Sequence, residues 1–162
     1  MTTNLMTRPR RVETAVSHAL DRLTDRLARH SIALLRVSLG LVILGFGALK
    51  FVPGASPAEP LVMRTVDTLT LGIVTGQTAV LVTAVTEVAI GLALVTGKLL
   101  RVALLVMAGW LVGVMSPVVL FFPDMFPGGT PTLDAQYVVK DIVFGTAGLV
   151  VAARALGARL TT

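Results

Sequence analysis

The sequence contains no cysteine, only two histidines, one tryptophan and one tyrosine, and charged residues make up just 14% of it. Each shortage removes a class of protein. Without cysteine the chain offers no thiol nucleophile, no disulfide and no thiolate-ligated metal. His18 and His30 stand apart in a basic stretch ahead of the first apolar run, a setting for solvated side chains rather than metal ligands. No dinucleotide-binding loop is present and no pair of haem ligands lies in an apolar run, so the chain carries no visible electron carrier of its own. With aromatics at 5% and no recognition motif, nucleic acid is not expected as a partner, although the formal net charge is +5.

What the chain has in abundance is apolar surface: 54% of residues are hydrophobic, too many for an ordinary soluble domain of 162 residues. Four stretches, about 31–52, 77–97, 99–122 and 136–156, are long and apolar enough to span a bilayer. Their apolar residues are continuous rather than alternating, which favours helices over a barrel, because backbone amides in hydrocarbon must be satisfied within their own segment. The expected fold is all-α, an integral membrane four-helix bundle. Residues 1–30 form a cytoplasmic amphipathic segment and 31–162 the membrane domain. A first span of this length, followed by three more, reads as an anchor and not as a cleaved signal peptide.

Basic residues set the expected orientation. Arg8, Arg10, Arg11, Arg22, Arg26, Arg29, Lys98, Arg101, Arg154 and Arg159 fall on one side of the predicted spans, while the opposite loops hold Arg64. By the positive-inside rule both termini are cytoplasmic, and the excess charge attracts anionic lipid. Before the first span, Val12, Val16, Ala19, Leu20, Leu23 and Leu27 share one helical face, which suits a helix on the inner leaflet or one docked on a partner.

Two connections are more than loops. SPAE at 56–59 offers Ser56 as N-cap, Pro57 at the first helical position and Glu59 three residues after the cap, so a short external interfacial helix begins there, with Leu61, Val62, Val66 and Leu69 against the bundle or the interface. FFPDMFPGGTPTLDAQY at 121–137 is turn-rich and places Phe121, Phe122, Phe126 and Tyr137 at interfacial depth, with Thr132 or Asp134 to cap the last helix. Pro117 is expected to kink the third span.

Against this background the charges inside the spans stand out. In TAVLVTAVTEVAIGLALVTG, residues 78–97, Glu87 is the one carboxylate, at about mid-membrane depth. Arg36 enters the first span from the cytoplasmic side, and Lys50, Lys140 and Asp141 form an outer group. A charge alone at a helix centre costs about 2.5–3.5 kcal/mol, so these residues should face inward and pair, with Arg36 the expected partner of Glu87. With all five ionised one positive charge remains, which suits an anion, a polar head group or a quinone-type carbonyl. The bland alternative is that the pairs fix helix register and nothing more. Glycines mark helix approach: Gly109 and Gly113 make a GxxxG, with Gly40, Gly45, Gly47, Gly145 and Gly148 in the first and last spans. Trp110 lies mid-span, away from the usual interfacial belt.

Four pieces in this order, LRVSLGLVILGFGALKF, GASPAEPL, TEVAIGLALVTGK and PTLDAQYVVKDIV, resemble the DoxX family of small bacterial four-helix membrane proteins over about residues 34–153. The matching positions are Arg36, Gly45, Gly47, Lys50, Phe51, Glu87, Gly91, Gln136, Tyr137, Lys140 and Asp141. The resemblance implies a link to membrane-associated oxidoreductases or oxidative-stress handling, hence an accessory or anchoring subunit of the bacterial cytoplasmic membrane with no catalytic residue of its own. The candidate polar site is Arg36, Lys50, Glu87, Trp110, Gln136, Tyr137, Lys140 and Asp141, with a quinone or lipid as ligand. Its expected partners are membrane lipids, a membrane-associated oxidoreductase and a second copy of the chain. A small proton-coupled transporter and a structural lipid-binding scaffold are the competing functions.

Overall fold

The computed structural model describes residues 8–158, with side chains from residue 15 onward. Arg159 lies outside the described residues, as do the side chains of Arg8, Arg10, Arg11 and Val12. The described chain is helical, with no strand among the described residues. Its elements are α1 (Arg8–Leu49), α2 (Glu59–Leu69), α3 (Gly76–Thr96), α4 (Leu100–Met115), α5 (Pro117–Leu120), α6 (Phe122–Met125), a 3₁₀ turn at Pro127–Gly129, α7 (Leu133–Val139) and α8 (Ile142–Ala155).

Three helical stretches, Ala15–Leu49, Gly76–Thr96 and Leu100–Leu120, are long and apolar enough to cross a membrane. Most of their surface is uncovered: Leu105, Val112 and Val119 are each about three-quarters exposed or more. Rows of bare aliphatic side chains are stable where lipid replaces water, which marks the chain as a membrane protein. The fourth expected span is interrupted, α7 ending at Val139 and α8 starting at Ile142, with Lys140 and Asp141 in the break.

The chain divides into two compact units between Leu34 and Leu35. In the first, helix α1 presents Val16, Leu20, Leu23 and Leu27, each about half exposed, as the expected apolar stripe. Arg22 Nε donates to the His18 carbonyl at 3.1 Å, and His30 Nδ1 donates to the Arg26 carbonyl at 3.0 Å.

In the second unit, α3 packs on α2 and α4, and α4 on α8. Its main core joins Leu39, Ile43, Ile90, Leu94, Leu104, Met107 and Val151. A second core, Phe121, Met125, Ala135 and Val138, gathers the turn-rich connection and receives Leu61 of α2. Helix α2 starts two residues later than SPAE suggests: Ala58 is the N-cap and makes no side-chain cap, while Ser56 is buried. Glu59 instead turns back to accept from the Gly54 amide at 3.0 and 3.1 Å, holding the loop before the helix. Thr132 caps α7 as expected, accepting from the Ala135 amide at 3.2 Å. Pro117 has no amide hydrogen to continue α4, and the helix breaks at Ser116, whose hydroxyl donates to the Gly113 carbonyl at 2.7 Å.

Glycines set the crossing of α1 and α3. A Cβ on Gly40 would lie 2.8 Å from Leu94 Cβ, one on Gly91 2.7 Å from the Leu44 amide nitrogen, and one on Gly47 2.8 Å from Glu87 Cβ. Only hydrogen fits there, so the backbones touch. Gly109 and Gly113, the GxxxG pair, face open space instead, and close packing within the chain does not use them.

Candidate functional site

Glu87 is buried because the α1–α3 contact at Gly47 draws its backbone against α1. Lys50, one turn beyond Gly47, reaches it: Nζ donates to Glu87 Oε2 at 2.6 Å, and the two side chains are 5% and 4% exposed. Lys50 also donates to the Phe46 carbonyl at 3.4 Å. Trp110 Nε1 of α4 donates to the other carboxylate oxygen, Oε1, at 3.3 Å. Both oxygens of Glu87 are thus occupied, as a charge shielded from water requires.

The expected Arg36–Glu87 pair is not formed. Helices α1 and α3 run antiparallel with Gly40 beside Leu94 and Gly47 beside Glu87, which leaves Arg36 level with the C-terminal end of α3. Its guanidinium donates to the carbonyls of Leu94 and, at 3.3 Å, Val95, just before Gly97 closes the helix in the left-handed conformation. Arg36 therefore caps orphan carbonyls at the negative end of a helix dipole. Removing it from the pocket changes the charge balance: Lys50, Glu87, Lys140 and Asp141 sum to zero, so the surplus positive charge that suited an anion is gone.

Lys140 and Asp141 form the second pair, Nζ to Oδ1 at 2.9 Å, with Asp141 buried and the Lys140 side chain 43% exposed. The break between α7 and α8 places Tyr137 one turn before Lys140 and Phe144 one turn after it. Lys140 Nζ sits 3.7 Å from the Tyr137 ring centroid, 5.3 Å from that of Phe46 and 5.6 Å from that of Phe144. Phe46 and Tyr137 meet edge to face at 5.8 Å. All three rings lie within cation–π range of one ammonium.

These groups share one cavity of about 200 Å³. Its polar wall holds Lys50, Glu87, Trp110, Tyr137, Lys140 and Asp141. Leu61, Val62, Val66 and Leu69 of α2 add apolar lining, with Thr65 beside them, so the covering helix read from the sequence contributes lining as well. Arg64 ties α2 in place, its Nη2 donating to Asp124 Oδ2 at 2.7 Å and its guanidinium lying 3.8 Å from the Phe121 ring centroid. Gln136, expected in the polar network, is exposed and donates to the Pro131 carbonyl at 3.3 Å; it does not line the cavity.

Six of the eight candidate residues therefore converge, and Arg36 and Gln136 do not. Sequence reasoning missed Phe46 and Phe144 as site residues. Their signal was spacing: Phe46 lies four residues before Lys50 and Phe144 four after Lys140, the same-face interval of a helix. Among the described residues no group of three or more histidine, aspartate or glutamate side chains is arranged to hold a metal ion. The arrangement can offer an amphiphilic ligand two ammonium donors, two carboxylates and aromatic faces within an apolar enclosure. No family profile, curated protein or solved structure matches the chain.

Proposed function

We propose that the chain is a DoxX-like bacterial cytoplasmic-membrane protein in which α7 and α8 together make a fourth span, with both termini on the cytoplasmic side. In this reading it is an accessory or anchoring subunit of a membrane-associated oxidoreductase or oxidative-stress system, and its cavity takes a quinone or a lipid. The observation that carries the ligand reading is the convergence of Lys50–Glu87 and Lys140–Asp141 on one cavity inside an apolar protein. Charges in a membrane interior are expensive and tend to be kept for function, and here they border free volume rather than packed side chains. The test is the mass of the gently extracted protein, wild type against Glu87→Gln. An added mass of quinone or lipid size that is lost in the variant supports the binding site, and a bare mass in both overturns it.

One observation favours a second reading. Gly47 packs directly on Glu87, so the Lys50–Glu87 pair also locks the α1–α3 register. A scaffold role predicts that Lys50→Met and Glu87→Gln made together recover the stability either loses alone, with no ligand involved.

A further inference from the structure

We propose that the aromatic cage of Phe46, Tyr137 and Phe144 is a receptor for the ammonium of a zwitterionic lipid headgroup, and that Lys140 fills it from within when the site is empty. The inference rests on the cavity being a ligand site and names the chemistry of what enters. The cage has the features of a cation site: three rings converge on one point, and the buried carboxylate of Asp141 is the counter-ion. Lys140 occupies that point, but its side chain is 43% exposed, in contrast to the sealed Lys50. It is held by one ion pair and by ring faces, and it has room to turn away.

Charge balance selects the ligand. Lys50, Glu87, Lys140 and Asp141 together are neutral, so a simple cation or anion would add an uncompensated charge to a low-dielectric enclosure. A zwitterion adds none. Its ammonium replaces Lys140 against the rings and Asp141, and the displaced Lys140 Nζ pairs with its anionic group. The number of ion pairs is conserved or raised. A lipid headgroup and a soluble zwitterion share this chemistry. The apolar wall of α2, from Leu61 to Leu69, favours the lipid, whose acyl chains would lie along it.

The full chain is extracted from bilayers of equal phosphatidylethanolamine and phosphatidylglycerol, and retained lipid is read by native mass spectrometry. The wild type should retain the zwitterionic lipid over the anionic one by about tenfold, and Tyr137→Leu with Phe144→Leu should bring the ratio close to one. Lys140→Met empties the cage and leaves Asp141 unpaired. It should bind tetramethylammonium about tenfold more tightly than the wild type, followed through Trp110 emission. Phosphoethanolamine in solution should leave the bound lipid in place. Displacement by it overturns the lipid assignment. Equal retention of the two lipids in the wild type overturns the proposal while keeping the cavity as a ligand site, as does failure of Lys140→Met, helical by circular dichroism, to bind tetramethylammonium. No retained lipid or quinone in any variant overturns the cavity reading as well.

Discussion

Replacing Lys50 by methionine is the most direct test of how the buried pair is held. Methionine keeps the length and most of the volume of lysine, so packing changes little and electrostatics dominate. In the wild type, Nζ and Oε2 are 2.6 Å apart with both side chains almost sealed from solvent. Removing the ammonium leaves the Glu87 carboxylate with the Trp110 indole at 3.3 Å as its remaining donor. Breaking one side of such a pair is expected to destabilise the protein by about 3–5 kcal/mol. Adding Glu87→Gln to the same chain removes the orphaned charge and keeps an oxygen for Trp110, so the double variant should lie within about 1.5 kcal/mol of the wild type. The coupling between the two positions is then about 3 kcal/mol or more. Trp110 is the one tryptophan in the chain and contacts the pair directly, so its emission during unfolding in mixed detergent micelles reads the transition at the site. Additive single and double variants, or a loss below about 1 kcal/mol for Lys50→Met, would refute the reasoning, since losses that small belong to pairs open to solvent.

Three further outcomes are expected. Arg36→Gln should destabilise the chain by about 1.5–3 kcal/mol through loss of charge-assisted bonds to the end of α3, with faster amide exchange there and unchanged ligand retention. A loss of retained ligand in that variant would return Arg36 to the site. Gly91→Ala should cost about 1–3 kcal/mol because its Cβ meets the α1 backbone, whereas Gly109→Ala should leave thermal stability within about 0.5 kcal/mol. Finally, the chain has no cysteine, so Arg64→Cys with Asp124→Cys introduces the only thiols. Joining them with a short thiol-reactive cross-linker should hold α2 over the cavity and slow ligand exchange, with unaltered exchange kinetics as the contrary result.

The helical class and most of the inward-facing polar residues were legible because the bilayer leaves so few alternatives. An acid within an apolar run, as at Glu87, has to find a partner, and Trp110 away from the interfacial belt points to the same interior. The identity of the partner was not legible. Counting depth along each helix treats the spans as parallel rods with common starting planes, which put Arg36 near Glu87. The actual register is fixed by Gly40, Gly47 and Gly91, whose contacts set Lys50 beside Glu87 and carry Arg36 to the end of α3. Local sequence could not reveal that, because small residues look alike whether they meet a neighbour, as Gly47 does, or face open space, as Gly109 does. The start of α2 failed for a similar reason. SPAE has the composition of a cap, but Glu59 is recruited by the Gly54 amide and is itself the first helical residue.

The Lys50–Glu87 pair also bears on how the protein is made. The two residues are 37 positions apart, and the chain between them includes all of α2. A nascent α1 therefore emerges from the ribosome before the acid that neutralises its lysine has emerged. Until α3 follows, Lys50 is stable only near the lipid headgroups, with its stem reaching toward water. Antiparallel docking at the glycines then draws both charges inward together, so the two helices settle in the bilayer as a hairpin rather than one at a time. A substitution that spoils the glycine contact would thus act during biogenesis, stranding a charged helix in the membrane before the cavity exists.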